Sequence, residues 1–144
     1  FWADKTEENL SRFWEALSKA HILNFVKEQK DVEEARLGNN GINLSGGQKQ
    51  RISIARELYK DVDFLFMDEA TSALDSETEK QIQHNIDELK GQYTIVIIAH
   101  RLSTIKNANR VVVLKQGEIE QVGTYNELIQ KSDVFNKMVE FQEI

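Results

Sequence analysis

The 144 residues contain no cysteine, which excludes a disulfide framework, a thiolate nucleophile and a thiolate metal site. They contain no proline, against about 5% in average usage, and no functional reading attaches to that. No apolar run approaches the roughly 20 residues of a membrane-spanning helix, and the first residues do not read as a signal peptide. Contact with a membrane is therefore expected to pass through a partner or a further part of the protein. Basic residues are the minority, 18 against 24 acidic ones, for a net charge of −6. That balance weighs against a dedicated surface for nucleic acid or for anionic lipid. Internal repeats and low-complexity tracts are also missing.

What is present is the composition of a globular chain, 40% apolar and 29% charged, with enough apolar material for a core. The length suits one domain or part of a larger one. The two large apolar residues Phe1-Trp2 at the start lead us to expect a piece of a longer protein.

Along the chain, residues 4–29 read as helical, with Asp4-x-x-Glu7 available to cap the start. Leu10, Phe13, Trp14 and Leu17 form one apolar face at helical spacing. Ala20, Ile22, Leu23, Phe25 and Val26 form a second stripe, so two packed helices are expected. Residues 27–36 read as a charged surface segment, and Gly38-Asn39-Asn40-Gly41 as a loop.

The stretch Asn43-Leu44-Ser45-Gly46-Gly47-Gln48-Lys49-Gln50 reads as a tight turn opening a helix to about Tyr59. Ser45-x-x-Gln48 is a capping-box pattern. Gly46 and Gly47 carry no Cβ, so a backbone or a ligand can approach. The first N–H groups of the helix lack intrahelical partners and carry the positive end of the dipole. Together these make a site for an anion such as phosphate; an ordinary capped helix has the same local pattern.

Residues 62–67 form an apolar run expected to be a strand buried on both faces, as in a parallel sheet, ending at Asp68-Glu69. Ser76-x-x-Glu79 is a second capping box, opening a helix with Ile82, Ile86 and Leu89 on its core face and Gly91 as its stop. Residues 93–98 read as a second buried strand, ending at His100. Strand, helix, strand at these lengths is a βαβ unit with a right-handed crossover. A short helix over residues 102–105 follows, then a strand at 110–114. Gln116-Gly117 signals a hairpin turn, and the return strand at 118–122 is expected at the sheet edge. Thr124-x-x-Glu127 is a third capping box, opening a helical region carrying Leu128, Ile129, Val134, Phe135, Met138 and Val139.

Ligands in open α/β sheets sit at the C-terminal ends of strands. Asp68 there could hold Mg²⁺, directly or through water, beside nucleotide phosphates. Glu69 could act as general base on an attacking water. His100, at the end of the next strand, could reach a γ-phosphate. The alternatives are an acidic turn in solvent and a structural histidine. Asp75 could cap the helix after it or take part in signalling across an interface.

In order and spacing, several segments resemble the ATP-binding-cassette (ABC) ATPases. Leu44-Ser45-Gly46-Gly47-Gln48, with Gln50-Arg51 and Ala55-Arg56, is similar to that family's signature motif. Phe64-Leu65-Phe66-Met67-Asp68-Glu69 is similar to Walker B with its catalytic glutamate. Ala70-Thr71-Ser72-Ala73-Leu74-Asp75 resembles the D-loop, and His100-Arg101-Leu102-Ser103-Thr104 the switch-histidine loop. The wording is most similar to exporter-type cassettes.

The resemblance implies an α/β fold: a partial P-loop NTPase fold with a mostly parallel sheet, flanking helices, a helical subdomain and a C-terminal β-hairpin. It implies residues 1–60 as the helical subdomain with the signature, and 61–144 as the second half of the ATPase core. Implied cofactors are ATP and Mg²⁺. Implied partners are a second nucleotide-binding domain, paired head to tail, and a transmembrane domain, at the cytoplasmic face of a membrane; no nucleic-acid partner is implied.

By the resemblance, Leu44, Ser45, Gly46, Gly47 and Gln48 act in trans on a partner's nucleotide. Asp68, Glu69 and His100 act in cis, and Ser72, Ala73, Leu74 and Asp75 form the D-loop. One departure matters: Gly-x-x-x-x-Gly-Lys-Ser/Thr, the phosphate-cradling P-loop, occurs nowhere in these residues. The segment alone is therefore expected to be inactive. Without the P-loop strand, the strands at 63–68 or 93–98 are expected to show an unpaired edge and an uncovered apolar face. Two other readings stand beside the exporter: a non-transport ATPase of the same family, and a non-catalytic cassette fragment acting as an interaction module.

Overall fold

The computed structural model describes residues 4–29, 44–68, 75–99 and 102–142. By proximity of its Cα atoms the chain falls into two units, Phe1–Ile97 and Ile98–Ile144.

In the first unit, α1 (Glu7–Lys19) is followed by the short α2 (Leu23–Lys27). The cap of α1 is Thr6 rather than Asp4: Thr6 Oγ1 accepts from the Asn9 N–H at 3.2 Å. Asp4 contributes its carbonyl instead, to Asn9 Nδ2 at 2.8 Å. The expected pair of packed helices is present, joined at His21, whose φ of 53° turns the chain. α3 (Gly46–Tyr59) has the expected bounds and the full capping box at Ser45 and Gln48. It buries Ile54, Ala55 and Leu58.

β1 (Phe64–Asp68) and β2 (Thr94–Ile98) are hydrogen-bonded neighbours, with α4 (Ser76–Glu88) between them in sequence. Thr94 N–H donates to the Asp63 carbonyl at 2.9 Å. Both strands thus enter the sheet from the same edge, as a parallel pair does. The N-cap of α4 is Asp75, not Ser76, so Ser76 is the first helical residue. The expected core face of α4 is correct: Ile82, Ile86 and Leu89 are buried.

The core of this unit gathers Ala16, Leu17, Ala20 and Ile22 with Ile54, Ala55, Leu58, Leu65, Met67 and the α4 residues. Burial of the strands on both faces is not observed. β1 alternates, with Leu65 and Met67 inside and Phe64 and Phe66 exposed at 58% and 78%. On β2, Val96 and Ile98 are likewise exposed. Successive side chains point to opposite faces of a sheet. Helices α1, α3 and α4 pack on one face, and no described element of this unit covers the other. This is the uncovered apolar face expected from the sequence.

The second unit contains α5 (Leu102–Lys106), the hairpin β3 (Val111–Lys115) and β4 (Glu118–Gly123), α6 (Tyr125–Lys131) and α7 (Asp133–Gln142). The hairpin turns at Gln116 (φ 53°) and Gly117 (φ 83°), the two left-handed residues of a type I′ turn. Among the described residues it forms its own two-stranded antiparallel sheet rather than the edge of a larger one, with a bulge between Val113 and Leu114. The third capping box is present: Thr124 N–H donates to Glu127 Oε2 at 2.8 Å and Glu127 N–H to Thr124 Oγ1 at 3.3 Å. The Thr124 N–H and the Thr124 hydroxyl, which donates to the same Oε2 at 3.0 Å, favour the ionised carboxylate and hold the Glu127 carboxyl below its ordinary value, with help from Lys131 and Arg110. Val113, Leu128, Phe135 and Val139 form the core, and Tyr125 meets Phe135 edge-on at 5.6 Å. Met138 on the same helical region is 45% exposed.

Candidate functional site

The signature stretch folds locally because Ser45 adopts an extended backbone (φ −66°, ψ 163°) and hands its hydroxyl to the helix. Ser45 Oγ accepts from Gln48 N–H at 3.2 Å, and Gln48 Oε1 accepts from Ser45 N–H at 2.9 Å. Lys49 N–H closes the first intrahelical bond on the Ser45 carbonyl at 3.0 Å. The N–H groups of Gly46 and Gly47 precede that first bond and fall outside both capping contacts. Ser45 and Gly46 are exposed, while Leu44 and Gln48 are half-buried. This arrangement fits an anion: free backbone donors, the positive helix end and no side chain on Gly46.

Gly47 differs from the sequence expectation. It is buried, and a Cβ built there would stand 2.5 Å from Thr78 Cγ2 of α4. The space its missing side chain leaves is taken by a neighbour in the same chain. Gln48 is also partly committed, since its amide oxygen serves the cap.

Asp68 closes β1 with an exposed side chain, open to a hard cation in solvent. Among the described residues no cluster of three or more His, Asp or Glu is arranged as a metal site. An exposed carboxylate is the kind of oxygen donor that Mg²⁺ takes alongside water and phosphate. Asp75 Oδ1 accepts from Thr78 N–H at 2.9 Å. The backbone and side chain of Thr78 stabilise the ionised form and hold the Asp75 carboxyl below its ordinary value. Glu69, Ser72, Ala73, Leu74 and His100 lie outside the described residues.

Arg51, matched only as part of the signature pattern in the sequence, has a structural task. Its Nη1 donates to the His21 carbonyl at 3.1 Å and its Nη2 to Gln81 Oε1 at 3.0 Å. His21 Nε2 in turn lies 2.6 Å from Glu88 Oε2 of α4. These partners are 30 and 67 positions apart in the chain, so no local pattern signals them.

The half-covered parallel pair, the capped glycine turn and the carboxylate at a strand end stand together in one α/β unit. A family model described as ABC transporter matches residues 3–72. An ATP-dependent lipid A-core flippase of Ralstonia nicotianae is 46% identical over 132 residues, 92% of this chain and 22% of the relative. A flippase of the same name in Cupriavidus metallidurans is 47% identical over 127 residues, 88% of this chain and 21% of the relative. The structure of a bacterial Atm1-family ABC exporter with ATP bound superposes with a TM-score of 0.78 at 34% identity, covering 93% of this chain and 23% of that one. The chain is similar over nearly its whole length to part of these ABC transporters, and its fold is a partial P-loop NTPase fold. It spans about a fifth of the length of the curated relatives it matches. Among the described residues no helix is long and apolar enough to cross a membrane.

Proposed function

We propose that the chain is the C-terminal part of the nucleotide-binding domain of an ABC exporter, which binds and hydrolyses ATP to drive a substrate across a membrane. The observation that carries this reading is the co-occurrence of four motifs in family order, the first of them on a capped glycine helix start suited to phosphate. In this reading residues 1–60 are the helical subdomain with the signature and residues 61–144 the second half of the ATPase core.

Leu44, Ser45, Gly46, Gly47 and Gln48 engage the phosphates of a nucleotide held by a second nucleotide-binding domain. Mg²⁺ at Asp68 supplies charge neutralisation beside the phosphates. Glu69 polarises the attacking water, and His100 reaches the γ-phosphate. Ser72, Ala73, Leu74 and Asp75 carry the signal between the paired cassettes. The domain works at the cytoplasmic face, docked to a transmembrane domain and without nucleic acid. The names of the relatives support lipid A-core as the first substrate to test.

The full-length protein in membranes is the material for the test. Glu69→Gln should lower ATP turnover by roughly 100-fold or more while leaving ATP binding in place. Turnover equal to wild type would overturn the assignment. The 144 residues by themselves, with no P-loop sequence among them, should bind Mg-ATP weakly and not turn it over. Sub-millimolar affinity in a titration would count against that and would favour a self-sufficient site.

A further inference from the structure

The start of α3 crosses the start of α4 at Gly47 and Thr78. A Cβ on Gly47 would stand 2.5 Å from Thr78 Cγ2 but 3.9 Å from Thr78 Cβ. The first distance is far inside carbon–carbon contact and the second is ordinary packing. One methyl group of this chain is therefore what keeps a side chain off Gly47.

Thr78 has a second engagement. It is the third residue of α4, and its N–H is the one that Asp75 Oδ1 accepts, at 2.9 Å. Its side chain touches the signature turn while its backbone holds the cap. A β-branched side chain in a helix has few rotamers to retreat into, so a push on the methyl passes to the backbone. One turn further along both helices Arg51 Nη2 meets Gln81 Oε1 at 3.0 Å, a second tie across the same crossing.

We propose that Thr78 is a positioning residue that couples the signature turn to Asp75, so that a displacement of Gly47 shifts the N-terminus of α4 and its cap. The functional meaning of the two ends rests on the reading above; the coupling itself rests on the packing.

The test is a size exchange in the full-length protein, read by steady-state ATPase kinetics and by amide hydrogen exchange over residues 75–81. Gly47→Ala should lower kcat by roughly 10–100-fold, more than it raises KM, and speed exchange at the Thr78 amide. Thr78→Ala alone should have the smaller effect of a loosened contact. Gly47→Ala with Thr78→Ala should regain about tenfold of the lost kcat and recover amide protection, a coupling of the size seen for touching residues. A double variant no better than Gly47→Ala in either readout overturns the proposal, as does a Gly47→Ala protein with wild-type turnover and exchange. A wild-type protein that does not hydrolyse ATP would refute the functional reading instead, and the exchange measurement would still decide the coupling.

Discussion

Arg51 donates through Nη2 to Gln81 Oε1 at 3.0 Å, and this bond joins the helix of the signature to the helix that Asp75 caps. The same guanidinium holds the His21 carbonyl at 3.1 Å. A planar fork serves two acceptors in different directions; an ammonium is a single point donor. Arg51→Lys should therefore keep the charge yet destabilise the protein by about 1 kcal/mol, the net worth of one hydrogen bond. Denaturant unfolding checks this, and a midpoint equal to wild type would show that lysine satisfies both sites.

Asp75 gives a prediction in pH. Hydrogen bonds from Thr78 lower its carboxyl in the folded chain. A depressed folded pKa contributes stability that is fully present above the unfolded value and is lost as pH falls through the folded one. The stabilisation should therefore hold at neutral pH and fade on the acid side of the ordinary carboxylate range. Asn caps a helix about as well as Asp but does not titrate there. Asp75→Asn should have a nearly unchanged Tm at neutral pH and a shallower loss of Tm on acidification. Parallel acid slopes for the two proteins would assign the acid loss to other groups.

Much of this was legible locally. Ser45 and Gln48 mark the start of α3 because both partners of the capping box lie within four residues. Ile82, Ile86 and Leu89 show the core face of α4 because helical spacing alone selects it. The miss at Asp4 and the choice left open between Asp75 and Ser76, which the structure gives to Asp75, have one cause: two cap-competent residues stand one or two places apart. The pattern is satisfied either way, and geometry picks one. The exposure of Phe64 and Phe66 was legible only through the missing P-loop segment, because a strand's own sequence states what could be covered and not what is there to cover it. The Gly47–Thr78 contact and the Arg51 fork join residues about 30 positions apart, beyond any periodicity.

Ile82 offers a measure of how strongly the first unit depends on α4. It is fully buried, among side chains from α1, α3 and β1. Ile82→Ala removes buried methyl groups and leaves a cavity, which should cost about 2–5 kcal/mol; Ile82→Val should cost about 0.5–1.5 kcal/mol. The exposed Lys80, two residues earlier, should tolerate alanine within about 0.5 kcal/mol. Equal losses at positions 80 and 82 in thermal or denaturant unfolding would contradict this core.

Phe66 is 78% exposed in the middle of a strand, beside Phe64 at 58%, with Val96 and Ile98 exposed on the neighbouring strand. Contiguous apolar surface of this kind drives association. The 144-residue chain by itself should therefore self-associate as its concentration rises. Covering one phenylalanine is worth about 1.5–3 kcal/mol, so Phe66→Ser should raise the association Kd by at least about tenfold. Leu65→Ser, one residue away but only 3% exposed, should unfold the chain instead of freeing it. Sedimentation velocity across a concentration series reads both effects. A monodisperse wild-type monomer at high concentration would mean that the face is covered, and the Phe66 variant would then have nothing to change.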